Sequence, residues 1–149
     1  MARNHPYGAF NFQVSLGDPA SEDPKGGFSD VSGLGTEFLV AEYRAGNDKE
    51  NHVRKVPGLH KVSDVTLKRG LMEAKELYKW INEVRQKGPT AARDVTITLY
   101  DESHQEVRVW KLHGAIPMKW TGPTLAAKAH GDVAMEELTL ACEGLDLPE

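Results

Sequence analysis

Alternation of apolar and polar residues with a period of two recurs along this chain, and it limits the fold to one built mostly of strands. Phe10, Phe12, Val14 and Leu16 alternate with Asn11, Gln13 and Ser15, the pattern of a strand with one buried and one wet face. The period returns at Val65 and Leu67 against Thr66 and Lys68. It returns again at Val95, Ile97 and Leu99 against Thr96, Thr98 and Tyr100, and at Val107 and Val109 against Arg108 and Trp110. The last two runs flank "DESHQE", which predicts a hairpin. "FSDVSG" and "TEFLVAEYR" predict two further strands, and Gly33, Leu34 and Gly35 between them suit a tight connection or bulge. Near the end, Ala134, Glu136, Leu138, Leu140 and Cys142 alternate with Val133, Met135, Glu137, Thr139 and Ala141. Glu136 interrupts the first set and Val133 with Met135 are apolar in the second, so a bulge or a change of buried face is expected midway.

A single segment has helical period. Ala74, Leu77, Tyr78, Ile81 and Val84 recur at steps of three and four, Trp80 widens the stripe, and charged or amide residues cover the remainder. Arg85 and Lys87 suit the negative end of the helix dipole, and Gly88-Pro89 is a stop signal. The helix is predicted over about residues 71–87. With 149 residues, the chain is expected to form one domain, 1–149, large enough to hold together without metal or disulfide. The predicted fold is mainly β with one helix, a β-sandwich or split β-barrel whose apolar face takes the helix stripe.

The sequence offers little for catalysis. Its six histidines share no spacing that would place two on one face as ligands. Glu136 and Glu137 are adjacent, so in a strand they point to opposite faces and cannot act together as acid and base. "GLGTE" and "KGG" match no phosphate-binding loop, and no serine has a nucleophile-elbow setting. Cys142 stands alone in "LTLACEGL", where a small packing residue is the simple reading. No catalytic residue, metal or cofactor is expected. The formal charge of −4, from 18 basic and 22 acidic residues, argues against general nucleic-acid binding. The N-terminus has no apolar signal core, so synthesis in the cytoplasm without a signal peptide is expected.

Residues 44–61 read as a long loop. They carry Arg44, Lys49, Arg54, Lys55 and Lys61 against Asp48 and Glu50, with Gly46, Pro57 and Gly58 and few large apolar residues. Loops of this length usually have a job. Three readings are open on these residues alone: a solvated excursion, a basic grip on nucleic acid that lacks interleaved aromatics, or an arm that docks on a neighbouring subunit.

The order of several short motifs discriminates among them. "SGLG" at residues 32–35, "RKVPGL" at 54–59, "LKRG" at 67–70, Trp120 followed by Gly122-Pro123, and a final alternating strand closing in "EGL" at 143–145 together span nearly the whole chain. In this order and spacing the chain resembles the inner tube protein of contractile phage tails and phage-tail-like extracellular injection systems, a family related to the Hcp-type tube. One departure is "ESHQE", where the family often has a glycine in the turn.

The resemblance implies hexameric rings whose strands join into a continuous barrel. Rings would stack into a hollow tube inside a sheath, which is driven through a target envelope and conducts protein or DNA cargo. It implies as partners the chain itself, sheath, baseplate and tape-measure proteins, with no specific nucleic-acid recognition, in a phage tail or a phage-tail-like particle. Expected subunit contacts are Arg44, Lys49, Arg54, Lys55, Pro57, Gly58, Lys61, Lys68 and Arg69. Expected lumen residues are Asn11, Gln13 and Ser15, and whichever of Glu136 and Glu137 turns away from the core. The alternatives are an Hcp-like type VI secretion tube, or a small β-barrel binding module using the basic loop on nucleic acid or an acidic partner.

Overall fold

The computed structural model describes residues 4–17, 27–71, 76–128, 131 and 133–148. The strands are β1 (Phe12–Ser15), β2 (Asp30–Ser32), β3 (Thr36–Tyr43), β4 (Arg54–Val62), β5 (Val65–Gly70), β6 (Arg93–Tyr100), β7 (Glu106–Thr121), β8 (Met135–Ala141) and β9 (Gly144–Asp146). One helix, α1 (Glu76–Lys87), runs into a 3-10 turn at Gly88–Ala91. The first four residues of the predicted helix span include Leu71, which is outside the helix, and 72–74 with Ala74, which lie outside the described residues.

β7 is the organising strand. Its 16 residues pair first with β6 and then, beyond Ala115, with β8. This gives a continuous strand order β1-β6-β7-β8-β5-β2, with β9 added beside the first half of β7. The change of sheet occurs at a bulge. Between the pairs Arg93↔Ala115 and Val95↔Leu112, β7 holds one residue more than β6, and Gly114 takes φ 61° there. Glycine adopts that left-handed angle without steric cost, and a bulge of this kind sharpens strand twist and bend. Asp94 Oδ1 accepts the Gly114 N–H at 3.2 Å, which satisfies a donor the bulge takes out of the ladder.

The two halves of the folded-over sheet close on one core. Val14, Val95, Ile97 and Leu112 come from one side, Val65, Leu67, Leu138 and Leu140 from the other, and Leu77 and Trp80 from α1. This is the mainly β, split-barrel fold that the alternating runs predict. Trp80 is fully buried and donates its indole N–H to the Ala91 carbonyl at 2.9 Å, tying the helix to the turn that ends it. Arg93 lies over the Trp80 ring at 4.9 Å and hydrogen-bonds Glu83, which holds that carboxyl below its ordinary range. The predicted helix stripe is narrower in fact: Leu77 and Trp80 are buried, Ile81 and Val84 are half-buried, and Tyr78 sits at the edge against Trp120.

β8 does not change its buried face. Glu136 points inward with Leu138 and Leu140, and its partner in register is Arg69 on β5, which points inward with Val65 and Leu67. Arg69 Nε donates to Glu136 Oε1 at 2.5 Å, and Trp120 Nε1 donates to Glu136 Oε2 at 3.2 Å. The Phe28 ring lies 5.4 Å from the guanidinium carbon. A charge in this position is tolerated because its opposite stands directly across the ladder. The expectation that Arg69 reaches another subunit, and that Glu136 is a lumen candidate, is therefore corrected: both are consumed inside the chain.

The hairpin across "DESHQE" forms as predicted, and His104 in its turn adopts φ 61°. Asp101 steadies the turn by accepting the Ser103 and Gln105 N–H groups at 2.9 Å each. The buried pair yields the first testable outcome. Glu136→Leu alone should destabilise the chain by about 3–5 kcal/mol, because it removes the carboxylate that faces a buried guanidinium, whereas adding Arg69→Met should recover most of that loss. Chemical denaturation of both variants checks it; equal losses in the single and double variants would contradict the pairing.

Candidate assembly surface

Residues 44–61 are not one long loop. β3 and β4 form their own antiparallel two-stranded sheet, hydrogen-bonded to no other strand among the described residues, and only residues 44–53 are irregular. Arg54, Lys55, Pro57, Gly58 and Lys61 therefore stand on a strand. The sequence hid it because Pro57-Gly58 reads as a turn and because no face of the strand alternates in the way a core-facing strand must.

The proline and glycine fall at an irregularity. Pairing shifts between Phe38↔His60 and Val40↔Pro57, so that β4 carries one residue more than β3 there. A Cβ on Gly58 would stand 2.6 Å from the Leu39 carbonyl oxygen, closer than any side chain tolerates, so the bulge requires glycine at this place. Leu59 is pushed outward and is 73% exposed.

Both faces of this hairpin are apolar at the centre and charged at the ends. Phe38 and Val40 share one face with Pro57, and Leu39, Ala41 and Tyr43 share the other with Val56, by alternation along the paired strands. Phe38, Leu39, Val40, Tyr43, Val56 and Leu59 are all exposed. Glu37 pairs with Lys61 in register and at 4.0 Å, and Glu42 pairs with Lys55 in register. A lone two-stranded hairpin is marginal in water, and a contiguous exposed apolar surface marks an interaction site. Two uncovered apolar faces on one ribbon call for cover on both sides.

The predicted contact residues separate into groups. Arg44 is spent within its own chain, donating to the Asp48 carbonyl at 3.0 Å and to the Glu50 carbonyl at 3.2 Å, while Asp48 Oδ2 accepts the Ala45 N–H at 3.0 Å. Arg54 approaches Asp48 at 3.6 Å, and Glu50 pairs with His52. Lys49, Lys55 and Lys61 are exposed on the hairpin. Lys68 is elsewhere, on the outer face of β5, in register with Asp30 of β2 and Glu137 of β8.

The predicted lumen residues separate too. Gln13 and Ser15 face outward from β1 and Asn11 is half-buried just before it; Gln13 accepts the Tyr100 hydroxyl at 2.8 Å. Glu137 faces outward from β8, in the other half of the folded sheet. Outer faces of two packed sheets point away from one another, so these groups cannot line one channel together. What sequence reasoning missed is the apolar hairpin itself; the unbroken run Phe38-Leu39-Val40, which no single buried face explains, was the available signal.

Cys142 is half-buried, and burial, with a smaller contribution from the Asp64 charge, pushes its thiol up to about 11. At neutral pH it is a packing residue. Among the described residues no group of three or more His, Cys, Asp or Glu side chains could hold a metal, and no helix is long and apolar enough to cross a membrane.

Because Gly58 serves only the hairpin, Gly58→Ala should leave the melting temperature of the monomer within about 2 °C while preventing higher assembly. Calorimetry with negative-stain microscopy checks both halves; a large loss of melting temperature would place the hairpin inside the cooperative fold.

Comparison with known proteins fits this geometry. The profile of the T4-like virus tail tube protein gp19 matches residues 8–146. No curated protein matches. Among solved structures, the sheath-tube complex of the extracellular contractile injection system PVC, in its extended state, contains a chain of 29% identity with TM-score 0.83; the match covers 97% of this chain and 93% of that one. The sheath/tube terminator of the same system gives 30% identity and TM-score 0.84, covering 99% and 100%. The tube-terminating cap of the anti-feeding prophage gives 27% identity and TM-score 0.84, covering 99% and 94%. Hcp1 of Flavobacterium johnsoniae, at 10% identity and TM-score 0.55 over 91% of this chain and 93% of that one, shares the fold alone. With a family profile spanning 8–146 and an all-round match of fold, the chain belongs to the T4-like virus tail tube protein gp19 family, and its role is that of a structural tube protein of the contractile-tail kind.

Proposed function

We propose that this chain assembles as hexameric rings that stack into the inner tube of a phage-tail-like contractile particle, surrounded by a sheath and seated on a baseplate, with no catalytic activity of its own. The observation that carries this reading is the β3–β4 hairpin. It has two apolar faces, charged ends and no core of its own, so it becomes stable only between other copies of the chain. Arg54, Lys55, Pro57, Gly58 and Lys61 act from this arm, with Lys49 at its tip.

The sheet β7-β8-β5-β2 closes the barrel in this reading. Among the described residues the outer edges of β2 and of the second half of β7 are unpaired. Exposed edges need a partner, and a neighbouring copy supplies one when a ring closes. Its outer face carries Asp30, Lys68, Glu137 and Lys119, with Ser32, Thr66, Thr121 and Thr139 between them. Two acids balance two bases there. Such a wall is wet and close to neutral, and it gives protein or DNA cargo in the lumen, or a tape-measure protein, little to stick to. Asn11, Gln13 and Ser15 then stand outside the channel.

Two outcomes test the reading. Arg54→Glu with Lys55→Glu should leave a folded monomer but abolish rings and tubes in electron micrographs, since reversed charges meet their like across the interface; normal tubes would remove these residues from the contact. In tubes of a Cys142→Ala background, a cysteine placed at Glu137 should resist a thiol reagent too large to enter the lumen and react once tubes are dissociated. A cysteine placed at Gln13 should react without dissociation. The reverse pattern would put the β1 face in the channel.

A further inference from the structure

Beside the C-terminal end of α1 lies an open groove of about 450 Å³ that the tube reading leaves without a task. Val84 and Pro89 form one wall, Ile116 and Ala141 the other, and the small residues Gly88, Ala92 and Gly114 keep it clear. Cys142 and Glu143 complete the lining, and Glu143 alone among the lining residues carries charge. Its carboxylate is held across Gly114, where an added Cβ would stand 2.9 Å from Oε2. The site is thus an apolar slot with one carboxylate at its edge.

The chain carries a matching projection. Leu59 protrudes from the β4 bulge with 73% of its surface exposed. Lys61 follows two residues later on the same side of the strand, about 7 Å along it. Among the described residues its ion-pair partner is Glu37, in a 4.0 Å, largely exposed approach, so its charge is open to a second carboxylate. We propose that the groove seats Leu59 of a second copy of this chain, with Lys61 of that copy set against Glu143. The proposal rests on the tube reading and adds to it the place where one of the hairpin's two apolar faces is received. Charge complementarity selects the occupant: an apolar knob followed by a base fits an apolar slot with one carboxylate, Glu143, at its edge, and both belong to the same polypeptide. Because every copy has both knob and slot, the contact is head-to-tail, closing within a ring or running from ring to ring according to the rotation that relates the copies.

The lone thiol makes the contact measurable. Tubes assembled from Leu59→Cys and oxidised with copper-phenanthroline should run on a non-reducing gel as a ladder of multimers, through a disulfide between the new cysteine and Cys142 of the next copy. Cys142→Ala should abolish the ladder. Tubes that form but stay monomeric on the gel, or that show only a bond within one chain, overturn the seat while leaving the tube intact. Should Leu59→Cys itself prevent tubes, a charge exchange decides. Lys61→Glu and Glu143→Lys should each lower the assembled fraction about tenfold, and their combination should restore it to within about threefold of the unmodified protein. No recovery in the combination overturns the proposal. If the unmodified chain forms no tube under any condition, the tube reading fails and the seat falls with it, a result distinct from tubes that form without the bond.

Discussion

The ion pair between Arg69 and Glu136 governs the inner arrangement of the second sheet. It joins β5 to β8 directly across the ladder, and the Trp120 indole draws β7 to the same carboxylate. A shift of one residue in either strand would bring Lys68 or Glu137 into the core and expose Leu67 or Leu138. Hydrophobic pattern alone already favours one register; a buried charge with one opposite partner makes every other register far worse. The same lock fixes which side of the sheet is polar, because Lys68 and Glu137 are turned outward by the inward placement of their neighbours.

The hairpin β3–β4 obeys a different rule. Val62 at the end of β4 is its one buried side chain among the described residues, and its strands hydrogen-bond only to one another there. The buried core and the exposed apolar ribbon are therefore built from different residues: Leu67, Trp80 and Leu138 for the first, Phe38, Val56 and Leu59 for the second.

Much of this was legible in the sequence. The runs at Val65 and Val95 became strands with the expected face inward, and the DESHQE hairpin and the end of α1 at Gly88-Pro89 fell where predicted; on the first half of β7 the faces are reversed, since Trp110, paired with Ile97, packs on the core and Val109, paired with Thr98, does not. The failures share a cause. β4 was missed and Glu136 was read as a break because each depends on a partner remote in sequence. Glu136 is buried only because Arg69 faces it, and β4 is a strand only because β3 lies beside it. Alternation reports burial against a core. It says nothing of a ribbon whose two faces await other copies, nor of a charge neutralised across a ladder. The order of motifs succeeded where periodicity failed, since it depends on no single face.

The strands left open at the edges are short. β2 has three residues and the open stretch of β7 runs only from Ile116 to Thr121, so in the proposed ring a pair of copies meeting along such an edge gains few hydrogen bonds against the freedom it gives up. Two or three copies in solution are then poorly held, and only a closed circle in which each copy is gripped on both sides repays the loss. Polymerisation with that character has a costly nucleus and cheap growth. In the proposed tube a pool of free subunits would then persist until a preformed ring serves as a template, so that the shortness of a three-residue strand decides where growth begins.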